Sequence, residues 1–189
     1  MNRYAIAVRR WWTVPLAAVA LVLVCGSVGT SEIPVPSLVG GMSGARLAYF
    51  TPVLIVVVVL YCLERRLHAA ESTAVAPIGR YDRGALVLTV VLAHAAGLMV
   101  GMDVARNVTF LLALALLVRR LANEATAATA GLLFLILNLI LGRTYQPGGH
   151  SSHTWWALAL YPAGSMAAWM VTGVLFAFAL TLSEKRHPW

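Results

Sequence analysis

Apolar residues in this chain gather into six long runs, with short polar stretches between them. The runs fall at roughly 11–29, 47–63, 84–102, 105–121, 125–142 and 163–183. An α-helix crosses a bilayer with about 20 such residues, so six crossings use nearly the whole chain. The pattern predicts an all-α polytopic membrane protein with six transmembrane helices, one transmembrane domain over residues 1–189.

The polar stretches orient these crossings. Eleven of the fourteen Arg and Lys residues fall on one side: Arg3, Arg9, Arg10, Arg65, Arg66, Arg80, Arg83, Arg119, Arg120, Lys185 and Arg186. Arg46, Arg106 and Arg143 lie on the other. Positively charged loops stay in the cytoplasm, so both termini are expected inside, in a multi-pass protein of the cell inner membrane.

Composition narrows the class further. Apolar residues make up 60% of the chain and charged residues 11%, outside the balance of a soluble domain. The net charge of +7 comes from short basic clusters beside span ends. That placement reads as topology and attraction to the anionic lipid bilayer, and no nucleic-acid partner is expected. Cys25 and Cys62 sit near opposite ends of spans one and two, too far apart for a disulfide. Arg9-Arg10 before an apolar run resembles a signal peptide, but Val24 stands where cleavage before Cys25 needs a small residue. The first span is expected to stay uncleaved.

Trp11 and Trp12 after three arginines form an interfacial anchor. The first outer loop holds Pro34, Pro36, Gly40, Gly41 and Gly44, which disfavour regular helix. Helical propensity continues past Glu64 through residue 71, and Pro77 and Gly79 then break the chain. Gly97 and Gly101, four apart, would let another helix approach closely. Span four has only about a dozen largely apolar residues, about 17 Å at 1.5 Å each. Either the bilayer thins there, or Arg106 and Asn107 lie below the headgroups facing protein, with Asp103 pairing Arg106. Span five carries one strongly polar residue, Asn138. Before span six, Pro162 and Gly164 interrupt the apolar stretch from Trp155. This predicts a half-inserted outer segment between helices 5 and 6, or a kink in one tilted helix.

Candidate chemistry is sparse. His150 and His153 are three apart without an evident third ligand, so surface histidines are expected rather than a metal site. His94 is expected to make one interhelical hydrogen bond. All seven acidic residues, Glu32, Glu64, Glu71, Asp82, Asp103, Glu124 and Glu184, map to span ends or loops. Proton or sodium coupling through this chain alone is therefore not expected. Neither a nucleophile elbow nor a phosphate-binding loop is present. No catalytic residues and no cofactor are expected; energy for uphill movement would come from a partner.

The segment 64–83 resembles the cytoplasmic loop of the ABC-2 type permeases, membrane subunits of bacterial ABC exporters. Glu64 ends span two, and Pro77-Ile-Gly-Arg80 follows after 13 residues, as the family's acidic residue and Pro-x-x-Arg element do. His68-Ala69 replaces the family's usual Gly-Thr, and 189 residues is short for the family. The resemblance implies six spans with both termini inside, and half-inserted outer helices before span six. It also implies a separate ABC ATPase subunit and a second membrane subunit, the same or a different chain. Glu64, Pro77, Arg80 and Arg83 would dock the ATPase, with 119–124 as a second entry for its motions. Asp103, Arg106 and Asn107 would form an outer polar cluster. An apolar interior would suit an amphipathic or hydrophobic cargo. The rival expectations are a non-transporting membrane partner, for assembly, immunity or anchoring, and a small intramembrane enzyme using His94, His150 or His153.

Overall fold

The computed structural model of the chain describes residues 9–36, 42–65, 78–145 and 151–184. Among these residues run six α-helices: α1 (Thr13–Val28), α2 (Pro52–Glu64), α3 (Ile78–Val100), α4 (Met102–Leu121), α5 (Glu124–Leu141) and α6 (Met166–Glu184). Three helices are long and apolar enough to cross a membrane: Leu47–Glu64, counting the 3₁₀ turn Leu47–Tyr49 before α2, then Tyr81–Val100 within α3, and α5. The apolar helices Thr13–Val28 and Met166–Leu182 are shorter. At 20 residues α4 has about 30 Å of length, but Asp103, Arg106, Arg119 and Arg120 interrupt its apolar character.

Consecutive helices run antiparallel. Cys25 Sγ meets Thr51 Oγ1 at 3.2 Å near one end of the α1–α2 pair, and Thr13 Oγ1 meets Cys62 Sγ at 3.3 Å near the other. These contacts place the two thiols at opposite ends of the pair, both buried and free. Along α4 and α5, Phe110 and Phe134 stack with ring centroids 5.0 Å apart.

The bundle is built around α4. It packs against α2, α3, α5 and α6, whereas α1 packs against α2 and α3. Every residue over 104–113 is buried, so all faces of α4 there meet protein, as an enclosed helix requires. The outer helices instead present Leu16, Val19 and Leu23 of α1 or Met170, Val174 and Phe178 of α6 outward.

Two β-hairpins cover the end where α4 begins. Strands β1 (Glu32–Pro36) and β2 (Met42–Arg46) pair antiparallel in the loop after α1, and β3 (Arg143–Tyr145) and β4 (Ser151–His153) pair after α5. Arg143 Nη1 donates to the Gly44 carbonyl at 3.0 Å, joining the hairpins. Ala45, Leu139, Ala157 and Leu160 form a small apolar cluster beneath them. We call this the hairpin end and the opposite one, where α2 and α4 finish, the arginine end.

Several boundaries differ from the sequence expectation. The first outer loop pairs as strands because an isolated two-stranded ribbon tolerates Pro34 and Pro36 on edges. Helix α3 starts at Ile78, one residue after Pro77, and runs through Gly79. A glycine in a first turn costs only about 1 kcal/mol, little against a helix of 23 residues. Between β4 and α6 there is a single 3₁₀ turn, Leu158–Leu160, where a short helix was expected; Pro162 and Gly164 lie outside helix, so the chain is broken there rather than kinked. Of the glycine pair, only Gly97 permits close approach: a Cβ there would lie 2.6 Å from the Ala105 Cβ. Gly101 has φ 130, a left-handed conformation that ends α3 and turns the chain into α4.

Candidate functional site

Most described polar contacts between helices involve arginines, and those of α4 mark its two ends. At the hairpin end, Arg106 is 1% exposed and Asn107 is 2% exposed. Arg106 Nη2 donates to the Tyr161 carbonyl at 2.7 Å and to Asn107 Oδ1 at 3.3 Å, while Nη1 donates to the Pro162 carbonyl at 3.0 Å. Asn107 Nδ2 donates to the Ala159 carbonyl at 3.0 Å. The irregular strap over 154–165 thus has three carbonyls met by side chains of one helical turn. Backbone of this kind is tolerated inside an apolar bundle only when such partners exist. The guanidinium fork, with five N–H donors in a plane, suits two adjacent carbonyls better than a point charge would.

Asp103 makes no described ion pair with Arg106, although its charge acts on that guanidinium. Its Oδ1 lies 2.5 Å from where a Cβ on Gly101 would sit, while three of the five Arg106 N–H groups bond the strap and Asn107. Asp103 serves the first turn of α4 instead, where a carboxylate complements the helix dipole.

At the arginine end, Arg119 is buried. Its Nε donates to Glu124 Oε1 at 2.7 Å and its Nη2 to the Leu63 carbonyl at 3.1 Å. Arg120 Nη1 donates to the Leu182 carbonyl. These two arginines therefore hold the C-terminal ends of α2 and α6, whose carbonyls lack intrahelical donors. Asn123 caps α5, its Oδ1 accepting from the Thr126 N–H at 2.8 Å. Nearby, Arg9 Nη1 lies 2.8 Å from Asp82 Oδ2 with Arg9 2% exposed, so the residues before α1 are tied to the start of α3.

The predicted docking residues are only partly placed. Glu64 is exposed at the last position of α2, and Arg83 is half-buried beside Asp82. Arg80 lies in the first turn of α3, described by its backbone alone. Pro77 lies outside the described residues, as do Arg3, Arg66, residues 67–71, His150, Lys185 and Arg186. Glu64 and the start of α3 share the arginine end.

The two described histidines have structural partners. His94 Nδ1 meets the Val90 carbonyl of its own helix at 2.8 Å, and its ring lies 5.4 Å from that of Trp169 on α6. The expected interhelical hydrogen bond is thus an intrahelical one, with a ring contact between helices. His153 lies 6.2 Å from the Tyr161 ring; desolvation, then the Arg143 guanidinium, hold its pKa below the usual 6.5. Among the described residues no group of three or more metal-ligating side chains converges. Asn138 is fully buried, its Nδ2 donating to the Phe134 carbonyl at 2.8 Å.

Sequence reasoning missed the Arg9–Asp82 pair and the helix-end bonds of Arg119 and Arg120. All three arginines look like ordinary interfacial positive charge. Only the acidic residue after a two-residue turn, Glu124, signalled a partner for Arg119. No protein family, curated protein or solved structure matches the chain.

Proposed function

We propose that the chain is a permease-like membrane subunit of an ATP-driven exporter. In this reading it crosses the bacterial inner membrane six times, with the arginine end and both termini in the cytoplasm. A separate ATPase binds the segment 64–83, and a second membrane subunit completes the assembly. The observation that carries the reading is the pair of arginine tethers at the two ends of α4. Arg119 bonds the carbonyl next to Glu64, and one helix away Arg106 bonds the strap. A displacement of the 64–83 segment would reach α4 through Leu63 and Arg119, and α4 would carry it as a rigid element to the strap. Coupling of this kind needs a packed element shared by both sites, which the enclosed α4 supplies.

The experiment is copurification of the tagged chain with an ATPase encoded beside it, followed by ATP hydrolysis in lipid. Charge reversal at Arg80 and Arg83 should lower ATPase recovery severalfold; unchanged recovery contradicts docking there. Arg106→Ala should impair export of an amphipathic or hydrophobic cargo while ATPase association persists.

One observation favours a second reading, a non-transporting membrane partner. Three N–H groups of Arg106 and Asn107 bond this chain's own carbonyls, as a purely structural clasp would. Normal export by Arg106→Ala would favour that reading.

A further inference from the structure

We infer that Arg10, Arg65 and the Tyr61 hydroxyl form a binding site for the phosphate of an anionic lipid headgroup. The inference rests on the chain lying in a bilayer and not on its being an exporter.

Two guanidinium groups converge on one phenol. Arg65 Nη1 donates to the Tyr61 hydroxyl oxygen at 2.7 Å and Arg10 Nη1 donates to the same atom at 3.4 Å. The Arg65 guanidinium carbon also lies 5.4 Å from the Tyr61 ring centroid. These bonds keep the two Nη1 atoms within about 6 Å of each other, less than the Debye length of about 8 Å, so the charges repel. Among the described residues neither guanidinium has a carboxylate at ion-pair distance, whereas Arg9 has Asp82 and Arg119 has Glu124. Two like charges held side by side favour an anion beside them.

The donors left over match a phosphate. Each arginine spends one N–H on Tyr61 and keeps the rest of its fork. The phenol oxygen uses its lone pairs on the two arginines, so its own O–H remains a donor. Guanidinium forks bond phosphate oxygens in pairs, with shorter and stronger bonds than neutral donors make.

The fold places Arg10 there against a conformational cost. Among the described residues it is the one non-glycine with positive φ, at 53, a region L-residues avoid. Its carbonyl accepts from the Thr13 N–H at 2.9 Å, the Thr13 hydroxyl at 2.9 Å and the Cys62 thiol at 3.6 Å. This turn aims Arg10 across to α2, while its neighbour Arg9 turns inward to Asp82. Strained backbone held by surrounding bonds is typical of ligand sites.

Position supplies the lipid. Tyr61, Arg10 and Trp12 are exposed together at the arginine end, beside apolar faces of α1 and α2 that include Leu16 and Val57. Exposed Tyr and Trp at the end of an apolar face mark the headgroup level, where lipid phosphates lie. Net negative charge distinguishes the preferred headgroup, since a zwitterionic lipid brings a cation beside its phosphate.

The test is lipid binding to the purified full-length protein in detergent, followed by native mass spectrometry. Short-chain phosphatidylglycerol, phosphatidylcholine and inorganic phosphate are the three probes. Arg10→Ala or Arg65→Ala should each weaken phosphatidylglycerol binding about tenfold, and the double variant should bind it no better than phosphatidylcholine. Arg46→Ala, which removes the same charge from the hairpin end, should leave binding unchanged. Tyr61→Phe keeps both arginines and the ring, and should weaken binding severalfold. If the double variant loses helix content by circular dichroism, Tyr61→Phe decides. Equal binding of the two lipids, an equal loss in Arg46→Ala, or wild-type binding by Tyr61→Phe would overturn the site. Inorganic phosphate displacing phosphatidylglycerol at equal concentration would reassign it to a free anion. None of these outcomes touches ATPase copurification, so the exporter reading stands or falls separately.

Discussion

An arginine at membrane depth costs about 2.5–3.5 kcal/mol even by the mildest scale. Burying Arg106 carries a cost of this kind, offset by its bonds to the Tyr161 and Pro162 carbonyls. Arg106→Ala should therefore destabilise the protein by about 3 kcal/mol, through the loss of two hydrogen bonds from a charged donor. Arg106→Lys should recover only part, because one ammonium does not reproduce the fork. Thermal unfolding in detergent checks both, and a wild-type midpoint for Arg106→Ala would contradict the clasp. His153 gives a second residue-scale prediction. Its folded pKa lies below the unfolded 6.5, so as pH falls below 6.5 the unfolded chain takes up the proton first. The stability His153 contributes is present above that value, declines through the interval down to the folded pKa, and is gone below it. Arg143→Ala removes one of the two causes and should move the His153 NMR titration up toward 6.5.

Helices meet closely where a side chain is missing, and Gly97 is that place between α3 and α4. A Cβ would fall 2.6 Å from the Ala105 Cβ, far closer than van der Waals contact allows. Gly97→Leu should separate the two helices and cost about 1–3 kcal/mol, lowering the unfolding midpoint; an unchanged midpoint would mean the pair packs more loosely. The six helices were legible because a long apolar run has one economical fate, a helix with its backbone bonds internal. Of the two expectations for span four, the burial of Arg106 and Asn107 inside α4 fits the one in which they face protein. The hairpins were illegible: Pro34, Pro36 and Gly44 signal irregular chain equally whether it pairs or not. Arg119 and Arg120 were legible as positive charge at a span end, but nothing local tells a headgroup-facing arginine from one capping a neighbouring helix.

At the scale of the whole molecule, the described polar bonds between elements lie mainly at the two ends. Charge follows the same division, with Arg9, Arg10, Arg65, Arg83, Arg119 and Arg120 at one end and Arg46, Arg106 and Arg143 at the other. The exporter reading assumes that the first of these ends faces the cytoplasm. Cysteine labelling in intact cells tests that assumption most directly, after Cys25→Ala and Cys62→Ala remove the buried native thiols. Trp155→Cys, at an exposed position of the hairpin end, should react with an impermeant maleimide added outside. Ala122→Cys, exposed in the turn between α4 and α5, should react only after the membrane is permeabilised. Labelling of both from outside, or of Ala122→Cys alone, would contradict the account.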